Sequence, residues 1–370
     1  MNRNKPHFPN LDALRTLAFL SVFFYHSFHT DYDYIKQYSL YQYVNSFFKN
    51  GDLGVNFFFV LSGFLITNLL IREELILGKI NLGNFYMRRV LRIWPLFFFT
   101  VFFGFVVFPF LKSAMGGSPE ESANIWLFVS FLSNFNNIWN GLPDASMLGV
   151  LWSVSIEEQF YLFWPVLLLV FKRFRPLIIL SLILLNIVFR YINHQDYYII
   201  YFHTISVLAN LSVGGLIGLL DAKGQMVRYY FEQVKFWQNL LIYVLLILVV
   251  VFRHQIFSSS IMLALENVVL SLFFIWVIME QIYSSKSLFK FGRIRFLDFW
   301  GKYTYGLYCL HFIGILIATN ASKFFGLNHS VYSVLFLETG IALLISFLIS
   351  WLIYHAFERP FLKLKSLRFS

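Results

Sequence analysis

Residues 11–28 read LDALRTLAFLSVFFYHSF, an apolar run of membrane-spanning length that carries one arginine, Arg15, and one histidine, His26. Eleven residues of α-helix return almost to the starting direction, so the sequence predicts both side chains on one helix face, about 16 Å apart along the axis. An ionisable group inside a bilayer costs roughly a few kcal/mol and usually faces a protein interior or a water-filled cavity. The stretch therefore predicts a membrane helix with a functional polar face.

Apolar runs of similar length recur along the whole chain. Of the 370 residues, 58% are hydrophobic, 21% aromatic and only 13% charged. The runs can cross about 30 Å of hydrocarbon, and the alternating pattern of a membrane β-barrel is absent. We predict an all-α, polytopic transmembrane helical bundle that fills residues 1–370 as a single membrane domain, and we expect no fused extracytoplasmic domain. The ten predicted spanning helices are 11–29, 52–71, 93–111, 151–171, 177–192, 203–220, 238–252, 261–281, 303–320 and 332–356.

The basic residues cluster in short segments between the apolar runs. With both termini in the cytoplasm, 22 of the 29 lysines and arginines, beginning with Arg3 and Lys5, lie on the cytoplasmic side and six lie outside. This is the asymmetry that orients membrane proteins, so the net charge of +10 does not indicate nucleic-acid binding. We expect a multi-pass protein of the bacterial cytoplasmic (inner) membrane.

Residues 124–139 are aromatic but are interrupted by Asn134, Asn136 and Asn137. If this segment spanned the bilayer, 15 cytoplasmic basic residues would move to the outside. We therefore predict a re-entrant or interfacial segment on the outer face, whose asparagines could line a cavity.

Some chemistries are disfavoured by the residues available. The single cysteine, Cys309, excludes disulfides and cysteine-based metal clusters. The first apolar run lacks a small-residue cleavage site, so we interpret it as a retained helix and not a signal peptide. No HExxH-like spacing is present, and we expect no metal site.

The first helix offers a candidate base. Burial disfavours the charged form of an imidazole, so we expect His26 to be neutral and able to accept a proton from a hydroxyl. A structural histidine near the outer surface is the alternative. Arg15 has its own alternative, which is to reach the inner surface and pair with Asp12 one turn earlier.

A second group of candidates lies in FYMRRVLRIWP, residues 85–95. We place Arg88, Arg89 and Arg92 in the loop and first turn before the third spanning helix, with Arg89 and Arg92 one turn apart. Their guanidinium groups could converge on a phosphate group. The alternative is that three basic residues at an inner membrane edge follow the orientation rule and contact anionic lipid.

The stretch LWSVSIEEQFY, residues 151–161, opens the fourth predicted span. Ser155 and Glu158 fit a capping box at its start. Glu157 is then unexplained, with Tyr161 one turn on, and a carboxylate there could orient His26 or bind a sugar hydroxyl. A solvated helix end is the alternative. Trp152 could stack on a sugar ring, as could Trp126 and Trp139, but an interfacial aromatic belt explains all three equally well.

Several further residues are polar inside apolar runs. Ser62, in FFFVLSGFLI, stands at mid-depth, where small residues permit close helix approach or a narrow passage for an acyl-carrying arm. His311 lies deep in the ninth span with Tyr305 and Tyr308 nearby. Glu266 and Glu338 are also intramembrane candidates, and Pro360 after Glu358 is interpreted as a helix stop.

These motifs occur together and in order: LDALRTLAFLSVFFYH, FFFVLSGFLI, RRVLRIWP, LWSVSIEEQFYLFWP, YGLYCLH and a terminal ERP. In this combination the chain resembles acyltransferase family 3 across almost its whole length. The resemblance implies a ten-helix membrane domain that takes an acyl group, usually acetyl, from cytoplasmic coenzyme A. It implies delivery to a hydroxyl of a carbohydrate or other acceptor at the outer side, such as lipopolysaccharide, exopolysaccharide or a lipid-linked saccharide.

The resemblance also implies residue roles. His26 and Arg15 would be the essential pair of the first helix, Arg89 and Arg92 would face the acyl-CoA, and Glu157 would belong to the tryptophan-serine-glutamate motif. Following it, we expect His26, Glu157 and Arg15 to be catalytic, with His26 acting either as the general base on the acceptor hydroxyl or as a transient acyl carrier. The residues expected to bind the donor are Arg88, Arg89, Arg92, Arg15 and Ser62, and those expected to bind the acceptor are Glu157, Tyr161 and Trp152.

The sequence hypothesis is an O-acyltransferase that uses acetyl-CoA or another acyl-CoA as its donor and no metal. The lipid bilayer and a saccharide are its other partners. A transporter or flippase of lipid-linked saccharides is the alternative function, because a path through ten helices would also contain buried charges. A non-catalytic membrane scaffold is a third.

Overall fold

The computed structural model describes residues 8–114 and 116–368, and these residues form helices and connecting segments without a β-strand. The α-helices in chain order are α1 (Leu11–His26), α2 (Asp33–Lys36), α3 (Ser39–Phe48), α4 (Leu53–Leu77), α5 (Leu82–Phe102), α6 (Phe108–Ala114), α7 (Ile125–Val129), α8 (Ser133–Trp139), α9 (Ser146–Gly149), α10 (Leu151–Val170), α11 (Arg175–Ile192), α12 (Tyr197–Phe202), α13 (Thr204–Lys223), α14 (Met226–Gln233), α15 (Phe236–Val251), α16 (Arg253–Ile256), α17 (Ser260–Tyr283), α18 (Arg295–Gly301), α19 (Thr304–Phe324), α20 (Thr339–Ile353) and α21 (Arg359–Arg368). Three π-helical segments, Phe103–Val107, Ser333–Glu338 and Tyr354–Glu358, and one 3₁₀ turn, Phe291–Arg293, complete the described helices.

Eight helical stretches of the described chain are long and apolar enough to cross a membrane. A ninth results if Met226–Gln233 and Phe236–Val251, which meet at 95°, form one broken span. Helix α1 has 16 residues and is about 24 Å long, which is shorter than these stretches. The prediction of an all-α chain built from many apolar helices is confirmed. Ten crossings and cytoplasmic termini stay predictions, and Arg3 and Lys5 lie outside the described residues.

The third predicted span begins earlier than expected. Helix α5 starts at Leu82, whereas the hydropathy pattern placed the start of the span at residue 93. The prediction that Arg88, Arg89 and Arg92 occupy a loop and first turn is therefore wrong, because all three lie inside the helix. Arg89 and Arg92 keep their one-turn spacing and so still share a face.

Ser155 does not cap a helix. Helix α10 begins at Leu151, so Ser155 is an interior residue and the predicted capping box with Glu158 is wrong. Its buried hydroxyl instead exchanges a 2.7 Å hydrogen bond with the hydroxyl of Ser133 in α8. A serine and a glutamate three residues apart share a helix face as readily as they form a cap, which is why the pattern misled.

Pro360 does not end the last helix. The π-helical segment Tyr354–Glu358 continues directly into α21, whose second residue is Pro360. A proline inside a continuous helix removes one backbone N–H, and a local π-helical adjustment such as the one just before it lets the neighbouring backbone groups find other partners. The predicted stop at this proline is therefore wrong.

The asparagine-rich segment 124–139 forms two short helices, α7 and α8, of five and seven residues. Neither helix is long enough to cross a bilayer alone, and the re-entrant or interfacial place of this segment on the outer face stays a prediction. Asn124 caps α7 by accepting a hydrogen bond from the Trp126 N–H at 2.9 Å. The buried Asn136 side chain in turn accepts from the Asn124 N–H at 2.8 Å, so its amide stabilises the segment itself.

The chain divides into two compact units. The first contains Met1–Thr16, Asn56–Leu82 and Ile156–Gly301, of which residues from Phe8 onward are described. The second contains Leu17–Val55, Gly83–Ser155 and Lys302–Ser370. The single membrane domain stays a prediction.

In the first unit, α4 and α13 approach each other closely. A Cβ added to Gly214 would fall on the carbonyl oxygen of Val60, and one added to Gly63 would fall on that of Leu211. Small residues allow the backbones of membrane helices to come this near. Close packing is therefore what requires glycine beside Ser62.

Buried charges of the first unit form compact ion clusters. Glu266 of α17 accepts from Arg190 of α11 and from Arg253, each at 2.7 Å. Glu74 of α4 is bound in the same way by Arg175 at 2.6 Å and by Lys172 at 2.8 Å. Removing one member of such a cluster leaves an uncompensated buried charge. Glu266 is thus explained as a residue that ties helices together.

In the second unit, α19 and α20 pack side by side. A Cβ at Gly314 would fall on the side chain of Ser346, whose hydroxyl donates to the backbone carbonyl of His311 at 3.3 Å. Gly306, two turns earlier, lies against Ser350 and the carboxyl of Glu358. This packing fixes the backbone of α19 on either side of His311.

We expect Gly214→Ala to destabilise the protein by about 1–3 kcal/mol, because the new methyl group overlaps the backbone of α4. Gly340→Ala is the matched control, since a Cβ there meets open space and alanine favours a helix. Thermal unfolding in detergent, followed by tryptophan fluorescence, measures both. Equal midpoints for the two variants would contradict the close approach of α4 and α13.

Candidate functional site

The second unit contains two paired histidines. The Nδ1 atom of His26, at the end of α1, lies 3.1 Å from Nε2 of His311 in α19. The two rings are nearly parallel, with centroids 5.2 Å apart. Nδ1 of His311 lies 2.8 Å from the backbone carbonyl oxygen of Tyr308. A chain of hydrogen bonds therefore runs from His26 through His311 to the backbone.

Aromatic side chains surround this pair. His311 has no exposed surface, and the rings of Phe19, Phe23 and Phe312 lie at its edges and face. His26 is partly exposed. The imidazole of His26 is thus accessible from outside the protein, whereas that of His311 is shielded from water.

The arginine face of α5 also lies in the second unit. The guanidinium of Arg89 stacks over the ring of Phe85, 5.5 Å from its centroid. Arg92 is exposed and Arg88 partly exposed. Stacking on a ring restrains a guanidinium group without neutralising its positive charge.

Glu358, which begins the terminal ERP motif, also belongs to this region, although no site role was predicted for it. It is the last residue of the π-helical segment Tyr354–Glu358 and is only 8% exposed. Its carboxyl group interacts electrostatically with the positive charge of Arg92. One oxygen, Oε1, makes no hydrogen bond among the described residues. π-Helical turns are frequent at functional sites. The available signal is the terminal ERP motif, Glu358-Arg359-Pro360, of which only the proline is interpreted above, as a helix stop.

The first unit brings together three residues predicted from the sequence. The Tyr161 hydroxyl donates to Oε2 of Glu157 at 3.0 Å and forms a short hydrogen bond with the Ser62 hydroxyl. Because Tyr161 uses its proton toward Glu157, Ser62 is the donor to Tyr161. A hydroxyl on α4 is thereby connected through a phenol to a carboxylate on α10.

The structure also places two other predicted site residues, Arg15 and Trp152. Arg15 pairs with Asp12 one turn earlier on α1, which is the alternative that the sequence had left open. Trp152 lies inside α10 and is only 6% exposed, and its expected stacking on a sugar ring stays a prediction. Trp126 and Trp139 are exposed, as a belt or a stacking role requires.

Near the end of α19, Lys323 forms a 2.6 Å ion pair with Asp31, and its hydrogen bond and charge lower the pKa of the Asp31 carboxyl. Glu338 is buried in the π-helical segment Ser333–Glu338, within range of both charges. The intramembrane candidate Glu338 thus has a charged neighbourhood of its own in the second unit.

Taken together, the chain offers helices of membrane-crossing length, an arginine face suited to phosphate, and a reachable imidazole that can take a proton. A membrane-embedded enzyme that transfers a group would need such features. The model of a family described as an acyltransferase domain matches residues 8–355, and the chain belongs to that family. The resemblance stated from the motifs is confirmed.

Relatives with curated names extend the comparison. The peptidoglycan O-acetyltransferase OatA of Listeria monocytogenes serovar 1/2a is 33% identical over 49% of this chain and 28% of the relative. The O-acetyltransferase OatA of Staphylococcus aureus (strain NCTC 8325 / PS 47) is 31% identical over 58% of this chain and 35% of the relative. A protein of Staphylococcus aureus (strain COL), provisionally named an O-acetyltransferase, is 27% identical over 83% and 50%, respectively. The chain thus spans half or less of these relatives, and no solved structure matches it.

The series of hydrogen bonds from Ser62 through Tyr161 to Glu157 predicts an energetic coupling between Ser62 and Tyr161. In a double-mutant cycle of Ser62→Ala and Tyr161→Phe, we expect a coupling energy of about 1 kcal/mol in the free energy of unfolding, because each change removes the same bond. Ser62→Ala combined with Tyr198→Phe, at an exposed tyrosine, is the control and should be additive. Additivity in the first cycle would show that the bond does not exist in the folded protein.

Proposed function

We propose that this protein is a membrane O-acetyltransferase that moves an acetyl group from cytoplasmic acetyl-CoA to a saccharide hydroxyl at the outer side of the cytoplasmic membrane. The observation that carries the proposal is the reachable His26 ring, held by His311, in a chain of the acyltransferase family. The named relatives are O-acetyltransferases, which supports acetyl as the group transferred.

The donor is proposed to bind along the arginine face of α5. Coenzyme A carries phosphates at its nucleotide end, and Arg88, Arg89 and Arg92 offer guanidinium groups that recognise phosphate in pairs. For Arg15 and Ser62, the donor-binding roles expected from the sequence stay proposals.

The acceptor is proposed to be a cell-wall saccharide. The Listeria relative is named for peptidoglycan, which favours this class over lipopolysaccharide or exopolysaccharide. Glu157 and Tyr161 are proposed to bind its hydroxyl groups, since a carboxylate and a phenol are suitable partners for sugars.

The chemistry proposed for His26 is general base catalysis. Its ring accepts the proton of the acceptor hydroxyl while the oxygen attacks the thioester carbonyl carbon. The new C–O bond forms, the C–S bond breaks, and the departing thiolate of coenzyme A takes the proton back from the ring. The products are an acetyl ester and the free thiol of coenzyme A.

His26→Ala tests this role directly. Membranes containing the protein receive labelled acetyl-CoA and soluble peptidoglycan fragments, and the label in the fragments is counted. Because general base catalysis contributes about 10²–10⁴-fold, we expect a loss of that size. His254→Ala, at an exposed histidine, should keep full activity. Undiminished transfer by a folded His26→Ala protein would reject the proposed base. If the protein were an exporter instead, the wild type would release no free coenzyme A.

Arg92→Ala tests the donor site. Loss of one charge-assisted hydrogen bond costs about 1.5–3 kcal/mol, so we expect the KM for acetyl-CoA to rise roughly 10- to 100-fold. The KM for S-acetylpantetheine, which lacks the nucleotide phosphates, should not change. The exposed Arg173 provides the matched control, Arg173→Ala. An equal rise in KM for both donors would remove phosphate recognition from Arg92.

A further inference from the structure

The hydrogen bonds of the histidine pair determine where its protons lie. A backbone carbonyl can only accept, so Nδ1 of His311 must carry a hydrogen toward Tyr308. In a neutral ring the other nitrogen, Nε2, is then an acceptor. Nδ1 of His26, 3.1 Å away, must therefore donate to it. The remaining nitrogen of His26, Nε2, is left with its lone pair.

If His311 were charged, its Nε2 would be the donor and His26 Nδ1 the acceptor, but the surroundings of His311 disfavour a charge. The ring has no exposed surface and lies among Phe19, Phe23 and Phe312. Among the described residues no carboxylate contacts either imidazole. A buried charge without a partner of opposite sign is costly, so the neutral form is the stable one.

The turn of α19 that carries the Tyr308 carbonyl, where this series of hydrogen bonds ends, is held rigidly. The Tyr308 hydroxyl bonds to Ser153 at 2.6 Å and to the Val150 carbonyl at 3.2 Å, which fixes this turn of α19 from its side chain. Ser346 of α20 donates to the carbonyl of His311. The His311 ring is therefore held in place by its backbone and not by a mobile group.

We propose that His311 is a positioning residue that holds His26 in the Nδ1–H form and directs the lone pair of His26 Nε2 outward. This inference rests on the proposed function, in which that lone pair takes the hydroxyl proton. When His26 becomes charged during the reaction, its Nδ1–H still donates to His311, and a hydrogen bond from a charged donor is stronger than one from a neutral donor. A neutral imidazole backed by a carbonyl here does what a buried carboxylate does in the serine protease triad.

The matched pair of variants is His311→Gln and His311→Asn. A glutamine oxygen reaches the place of Nε2 and can accept from His26, whereas an asparagine is too short. With labelled acetyl-CoA and soluble peptidoglycan fragments, we expect kcat to fall about 10²- to 10³-fold in His311→Asn, with little change in either KM. His311→Gln should retain activity within about tenfold of the wild type, since it restores the acceptor.

A spectroscopic measurement tests the proton positions without relying on activity. The ¹⁵N spectrum of histidine-labelled protein, assigned by the signals lost in His26→Ala and His311→Asn, should show both rings protonated at Nδ1. In His311→Asn the His26 signals should move toward the Nε2–H form, which is the common one in solution. His311→Gln should keep the Nδ1–H form of His26.

The outcomes separate this inference from the proposed function. If the wild type transfers no acetyl group, the proposed function fails, while the ¹⁵N spectrum still decides the proton positions. A wild-type His26 protonated at Nε2 overturns the inference even if His311→Asn does not fold. Equal kcat values for folded His311→Asn and His311→Gln overturn it as well.

Discussion

The structure depends on one constraint, which is that a polar side chain surrounded by apolar helices needs a partner. The first unit meets it with carboxylates that each accept from two cations, as Glu266 does from Arg190 and Arg253. Asp221 accepts from Arg72, Asn68 and Tyr283. Such clusters join helices that are distant in sequence. Each of these carboxylates is already bound by at least two donors, which makes it a structural group and not a reactive one.

The histidine pair meets the same constraint differently. Two neutral imidazoles satisfy each other with one hydrogen, and a backbone carbonyl satisfies the second ring. A carboxylate partner would have brought a net charge into the aromatic surroundings of His311. The neutral solution keeps the interior uncharged and leaves one nitrogen of His26 with a lone pair. The same rule that elsewhere produces inert ion clusters here produces a candidate base.

The sequence located the helices well and their ends poorly. Hydropathy falls where Arg88, Arg89 and Arg92 enter, so the predicted span begins after them, yet arginine is a good helix former and α5 continues back to Leu82. The same difficulty arises at Pro360, since proline stops most helices but is tolerated inside a long helix where a π-helical segment adjoins it. The length of a membrane span follows from its apolar composition. The helix that contains the span can be longer, because charged residues that are costly inside a bilayer can still be helical.

The candidate site was predictable in its residue types and not in its partners. Helical periodicity places His26 on a polar face, but nothing local indicates that its neighbour is His311, 285 positions later. The two meet because α19 is held by small residues and hydroxyls that a sequence presents only as ordinary helix content. No site role was predicted for Glu358 for the same reason, since its proximity to Arg92 depends on how the last helix returns to α5. In this helical protein the sequence thus indicates the candidate base, and packing between distant helices decides which partner that base has.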